Sequence, residues 1–221
     1  RILNWHEIVN DQLGGEAINL TGNNLAQTVT GNDGINILDG GFDTLTDTLI
    51  GRAGNDIYRI RSATDNITEV AGGGTIDRAQ ASVSFALAAG DNIEFLETTL
   101  ATGTGTLNLT GNEVAQTITG NDGINSLSGA AGIDVLNGRA GNDFINGGLG
   151  NDTLTGGAGL DNFVFNTALN ATTNTDNITD YNVAQDTIRL EKTGIFTGLG
   201  AALGTLSAAK FFVGAAANDA D

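Results

Sequence analysis

Asp134, Asp143, Asp152 and Asp161 stand nine residues apart. Each lies five places after one glycine (Gly129, Gly138, Gly147, Gly156) and two places after another (Gly132, Gly141, Gly150, Gly159). Glycine-rich turns reach positive φ values and allow close backbone approach. Carbonyls left unpaired by such a turn can converge on one point, where the Asp adds a hard carboxylate oxygen. An all-oxygen donor set of this kind suits Ca2+ rather than Zn2+ or a redox metal. The chain offers little softer chemistry, since Cys is absent and His6 is the one histidine.

The elements that must position these carboxylates follow from the same period. Nine-residue frames begin at Thr102, Gly111, Gly120, Gly129, Gly138, Gly147 and Gly156, and run without a gap to Val164. Their eighth residues are Leu109, Ile118, Leu127, Leu136, Ile145, Leu154 and Phe163, all apolar. Their sixth residues are Leu107, Gln116 and Asn125, followed by the four Asp. One inward apolar residue between polar neighbours predicts a short strand over positions seven to nine. Two units make an 18-residue coil, so alternate units stack about 4.8 Å apart. Sixth-position side chains then pile into two columns, Asn125-Asp143-Asp161 and Gln116-Asp134-Asp152. The predicted fold is all-β, a parallel β-roll of the solenoid type.

A shorter run lies upstream, at Gly22–Thr30, Gly31–Asp39 and Gly51–Arg59, with a distorted stretch between the last two. Its eighth positions are Val29, Leu38, Leu49 and Tyr58, and its sixth positions Gln27, Asn36, Asp47 and Asp56. Ala26 to Asn36 returns almost unchanged as Ala115 to Asn125, and Gly51 to Asp56 returns as Gly138 to Asp143. The expected organisation is a linker or the end of an upstream domain (1–12), a first roll block (13–59), a β-rich connector (60–101), a second roll block (102–164) and a C-terminal cap (165–221). Within the connector, Ser82-Val83-Ser84-Phe85 and Asn92-Ile93-Glu94-Phe95-Leu96 alternate apolar with polar and read as longer strands joining the rolls.

Composition bounds the function. Thirty-three glycines, no Pro, Cys or Met, and 5% aromatics leave roughly one large inward side chain per nine residues, and no disulfide to staple the chain. With 26 acidic against nine basic residues the net charge is −17, the balance of an ion-dependent chain. No basic stripe exists to neutralise phosphates, so nucleic acid is excluded as a partner. No apolar stretch approaches the ~20 residues of a membrane span, and no signal peptide is visible at the N-terminus. A chain without Met does not start at its own initiation codon, so a fragment or processed product is expected. Stacked carboxylates repel without a cation between them. The roll is therefore expected to be weakly folded without calcium, with the metal supplying the missing free energy.

Catalysis is not expected. His6-Glu7 begins a His-Glu-x-x-His zinc motif, but position ten is Asn10 and no second histidine exists. No Gly-x-Ser-x-Gly nucleophile elbow occurs. His6 and Trp5 read as part of a linker or an upstream domain.

The tandem frames resemble the RTX (haemolysin-type calcium-binding) family. In that family each calcium lies between two turns on the same side of a parallel β-roll. It is bound by carbonyls of positions two and four and the sixth side chain of one unit, and by positions one, three and six of the unit two places later. Carried over, the resemblance implies a site at Ala130, Gly132, Asp134, Gly147, Leu149 and Asp152, and another at Arg139, Gly141, Asp143, Gly156, Ala158 and Asp161. A weaker one uses Asn121, Gly123, Asn125, Gly138, Ala140 and Asp143. In the first block the best candidate joins Asn32, Gly34 and Asn36 to Gly51, Ala53 and Asp56. Asp143 falls in two sites, so its loss is expected to affect more than one ion. Gln27, Leu107 and Gln116 depart from the motif, and their turns are expected to be metal-free.

The flanks are similar too. Phe163-Val164-Phe165, Asp176 to Tyr181 and Asp186 to Leu190 resemble the strand-rich cap of secreted serralysin-like proteins, where Asp176 and Asp180 either complete a terminal site or serve as surface residues. A cap is needed because an open roll exposes strand edges, and Lys210-Phe211-Phe212-Val213 is expected to pack on it. The family implies a secreted or cell-surface, calcium-responsive module that meets type I secretion machinery in transit. A structural or adhesive, S-layer-like module capable of self-association is the alternative. A carbohydrate-binding role ranks third, for want of Arg and aromatics.

Overall fold

The computed structural model describes residues 14–167 and 172–191, and the backbone of 7–9. Trp5, His6 and the segment Lys210–Val213 lie outside the described residues. The described chain is built of short strands separated by turns, with no helix long and apolar enough to cross a membrane.

The first strands are β1 (Glu7–Val9), β2 (Ile18–Thr21), β3 (Thr28–Thr30), β4 (Asn36–Asp39), β5 (Thr48–Ile50) and β6 (Ile57–Ile60). The middle of the chain forms β7 (Asn66–Thr68), β8 (Arg78–Ala81), β9 (Phe85–Ala86) and β10 (Phe95–Thr98). Then come β11 (Leu107–Thr110), β12 (Thr117–Thr119), β13 (Asn125–Ala131), β14 (Val135–Asn137) and β15 (Phe144–Leu149). The last are β16 (Thr153–Thr155), β17 (Asn162–Phe165), β18 (Asn177–Ile178) and β19 (Thr187–Leu190). Every pairing is parallel and skips one strand, as a coil of two units requires. Even-numbered strands form one nine-stranded sheet, β18-β16-β14-β12-β10-β8-β6-β4-β2. Odd-numbered strands form two sheets, β1-β3-β5-β7 and β9-β11-β13-β15-β17-β19. One wall of the parallel β-roll is thus continuous, while the other breaks between β7 and β9.

The eighth-position rule sets the core. Leu109, Leu127, Ile145, Phe163 and Ile188 are successive partners along one wall. Along the other run Leu20, Leu38, Tyr58, Ala79, Leu96, Ile118, Leu136, Leu154 and Ile178. All of these but Leu20, Ile178 and Ile188 are buried, and Val29, Leu49, Ile60, Ile67, Ala81, Phe85, Leu87 and Ile93 complete the buried core. From Leu96 onward the spacing along that wall is 22, 18, 18 and 24 residues, and upstream it runs 18, 20, 21 and 17. Insertions are absorbed by turns, so register survives them.

One expectation changes. The connector does not form longer strands, since β7 to β10 span only two to four residues each. Its alternating pattern places Ala79, Phe85 and Leu96 inward within the same walls, because a coil of any length can join if its inward residue meets the ladder. Downstream, the segments 177–178 and 187–190 add one more parallel strand to each wall.

Candidate metal centre

The glycine-rich turns divide their labour by position. In the frames starting at 129, 138, 147 and 156 the second residue has positive φ: Ala130 at 74°, Arg139 at 80°, Gly148 at 103° and Gly157 at 97°. So does the fourth, Gly132, Gly141, Gly150 and Gly159, at 119° to 150°. The first-position glycines have ordinary φ and are required for another reason. A Cβ at Gly129, Gly138, Gly147 or Gly156 would collide with the sixth-position carboxylate of its own unit. The turn therefore presses the Asp side chain against bare backbone.

Each such Asp is used in halves. Oδ1 accepts the backbone N–H of the residue one coil earlier: Gln116 to Asp134 at 2.7 Å, Asn125 to Asp143 at 2.8 Å, Asp134 to Asp152 at 2.9 Å and Asp143 to Asp161 at 2.9 Å. Oδ2 of all four is buried and has no hydrogen-bond partner among the described residues. The residues are 0–1% exposed, and an unpaired buried carboxylate oxygen costs several kcal/mol unless the group is neutralised or meets a cation. Burial, with the charges of Asp152 and Asp161 adding to it, pushes Asp134 and Asp143 up to about 7, and burial moves Asp152 and Asp161 themselves upward as well. Two columns of half-satisfied carboxylates, backed by turn carbonyls, form a donor set fitted to calcium.

Sequence comparison decides the chemistry. The family model for the RTX calcium-binding nonapeptide repeat (4 copies) matches residues 119–154 and again 128–163, one period later. Residues 119–163 are RTX calcium-binding repeats. No curated protein and no solved structure matches the chain.

The RTX register brings the predicted ligands together on adjacent coils. Between the units at 129 and 147, Ala130 lies opposite Gly148, and Gly132 N–H donates to the Leu149 carbonyl at 2.9 Å, beside the Asp134–Asp152 pair. Between 138 and 156, Ala158 N–H donates to the Arg139 carbonyl at 2.7 Å and Gly141 N–H to the Ala158 carbonyl at 2.9 Å, beside Asp143 and Asp161. A carbonyl keeps a second lone pair, so these bonds leave an oxygen able to ligate. Asp143 also stacks under Asn125, and Asp56 under Asn36 (2.7 Å), as the two remaining predicted sites require.

Those last two sites contain a different turn. Asn125 Nδ2 donates to Asn121 Oδ1 at 2.9 Å, while Asn125 Oδ1 accepts the Asn121 N–H at 2.8 Å. Asn36 and Asn32 repeat the arrangement at 2.8 Å for both bonds. Gln116 does the same with Asn112. In these frames the second residue is Asn and the sixth an amide, and neither second nor fourth residue has positive φ. The –NH2 group supplies the positive end that a cation supplies to the Asp turns. A second-position Asn was the sequence signal for this.

Sequence reasoning also missed ladder members. Asp65, Asp77 and Glu94 accept the N–H groups of Asp47 (3.2 Å), Asp56 (2.7 Å) and Asp77 (2.8 Å). Asp77 is the sixth residue of a frame from Gly72 to Gln80, hidden by an insertion that shifts the phase. At the C-terminal end Asp176 accepts from Asp152 N–H (3.2 Å) and Asp186 from Asp161 N–H (3.1 Å), continuing both columns. Asp180 instead accepts the N–H groups of Gly156 and Gly157 at 2.9 and 2.7 Å.

Proposed function

We propose that this chain is a calcium-driven folding module of an exported protein, ordering outside the cell and stabilising an attached domain. The observation that carries the reading is the pair of columns of buried Asp, each holding one oxygen without a hydrogen-bond partner. Such a stack is self-repelling in the absence of cations, so its folding is coupled to theirs. Calcium modules that work at about 10⁻⁴–10⁻³ M are suited to the extracellular medium. A chain left extended at low cytosolic calcium is suited to passage through a type I export channel. In this role the protein binds and folds rather than catalyses.

The ligands we assign are the carboxylates Asp134, Asp143, Asp152 and Asp161 with the carbonyls of their turns. Far-UV circular dichroism with and without EDTA tests the coupling: loss of β signal on stripping calcium is expected, and a full signal would overturn it. A structural or adhesive role is the second reading, favoured by Ile124, Ile133, Leu149 and Leu160, which stand about half exposed or more at the turns. Sedimentation separates the two. A calcium-dependent monomer supports the first, and calcium-driven polymers the second.

A further inference from the structure

One pair of hexapeptides recurs in the chain, and calcium ligation alone does not explain it. Gly31 to Asn36 and Gly120 to Asn125 both read Gly-Asn-Asp-Gly-Ile-Asn, while Gly51 to Asp56 and Gly138 to Asp143 both read Gly-Arg-Ala-Gly-Asn-Asp. In each block the first hexapeptide is an amide turn and the second an aspartate turn one coil later. Arg52 and Arg139 therefore hold the second position, and both have φ of 80°. A left-handed backbone is unfavourable for an L side chain, and Gly148 and Gly157 avoid that penalty at the same position. An arginine kept at such a point requires contacts that hold it there.

Arg139 makes three such contacts. Its Nε donates to Asp122 Oδ1 at 3.0 Å, an ion pair that reaches back to the third residue of the amide turn on the preceding coil. Its N–H donates to Asn137 Oδ1 at 3.0 Å. Its carbonyl accepts the Ala158 N–H of the next coil at 2.7 Å. One residue thus spans three consecutive coils. The amide turn beneath it is a fixed anchor, because Asn121 and Asn125 close that turn with their own amides. Ala130 offers the contrast. Its φ is 74° and its carbonyl has the same assigned role, but a methyl group cannot reach back. The third-position Glu113 of the turn before it bonds the Gly90 N–H instead, at 2.7 Å.

We infer that Asp122 and the Arg139 side chain are positioning residues for calcium. The amide turn holds the guanidinium, and the guanidinium holds the left-handed backbone that presents the Arg139 carbonyl to the ion. Neither Asp122 nor the guanidinium is among the assigned ligands. The first aspartate turn on this side of the roll is thereby shaped by a turn that needs no ion. Asp33 and Arg52 occupy the same positions on adjacent coils of the first block. This role presupposes calcium binding between the turns at 138 and 156, and it names what sets one of the carbonyls there.

Carbonyl carbon chemical shifts of the full chain, followed by NMR through a calcium titration, read this role at residue 139, with Ala130 as internal reference. Arg139→Gln keeps a polar side chain on the left-handed backbone but removes the charge. It is compared with Asp122→Asn and with the two substitutions together. In either single variant the calcium needed for half of the change at residue 139 is expected to rise about two- to fivefold, the range of a partly exposed ion pair. The midpoint at Ala130 is expected to stay where it is. The double variant is expected to be no worse than either single one, because each already breaks the same contact. An unchanged titration at residue 139, or additive losses in the double variant, would overturn the assignment. So would an equal rise at Ala130, which marks a general loss of stability rather than a local role. In all three of those outcomes Ala130 still answers calcium. Failure of the calcium reading itself, which would take this role with it, shows instead as no response at either carbonyl.

Discussion

The turns at 129–161 and those at 31–36 and 111–125 hang from the same walls and bury the same eighth-position residues, yet they close in opposite ways. In the amide turns Asn32, Asn112 and Asn121 bond the sixth-position Asn36, Gln116 and Asn125, and their own Nδ2 groups donate to backbone carbonyls of the preceding coil. The carboxylate turns put Ala130, Arg139, Gly148 or Gly157 at the second position with positive φ, and leave one Asp oxygen unpaired in the interior. The strands themselves are indifferent to the choice. What differs is whether the positive partner is built into the chain or must come from solution.

Removing calcium should separate the two regions most strongly. Amide hydrogen exchange on the stripped chain is expected to accelerate by orders of magnitude across 129–161, and far less across 28–38 and 109–121. A uniform response would break the comparison. Next in size is Asp143→Ala, which deletes the acceptor for Asn125 N–H and one column carboxylate. If Asn125 is satisfied by Asn121, calorimetry should count one calcium fewer. Two fewer would show that the amide turn also ligates, as the repeat pattern alone implies.

Acidity gives a third handle. Asp134 and Asp143 are raised by burial to about 7 in the fold, above the ordinary carboxylate range they keep when unfolded. The metal-free fold therefore binds more protons than the unfolded chain, and its stability falls as pH rises from about 4 through 7. Calcium-stripped protein should show more β signal at pH 5 than at pH 8. Calcium affinity should run the other way, weaker at pH 5, because protons compete for the same oxygens.

Smaller effects sharpen the rule. Asn125→Asp alone leaves Asn121 in the wrong turn conformation, whereas Asn121→Gly with Asn125→Asp should convert the turn and add one calcium by titration. Ala130→Gly should stabilise the calcium-loaded fold, since an L side chain in the left-handed region costs roughly 1–2 kcal/mol. A rise of about 2–4 °C in melting temperature per kcal/mol is expected for a chain of this size. A fall in melting temperature would mean that the Ala130 methyl packs more favourably than its φ costs.

Much of this was legible in the residues. The period, the inward Leu109-to-Phe163 series, the two columns and the oxygen chemistry all follow from a local repeat that a strand and a turn can express within nine residues. The connector was harder to read, because insertions move Asp77 and Glu94 out of phase while strand register brings them back. Asp186 was hidden likewise, 25 residues from the Asp161 beneath it. Glu69 carries no pattern at all, and only the fold brings its carboxylate to those of Asp56 and Asp77.

By itself, then, the sequence determined a parallel coil with inward apolar rungs and calcium-seeking turns, since backbone conformation and side-chain phase are set within each unit. The tertiary structure decided which turns satisfy themselves and which coils share a wall. Parallel strands align by hydrogen bonds and buried rungs whatever the length of the intervening turn. Carboxylates 8 to 21 residues apart in the chain, such as Asp56, Glu69 and Asp77, consequently meet at one point.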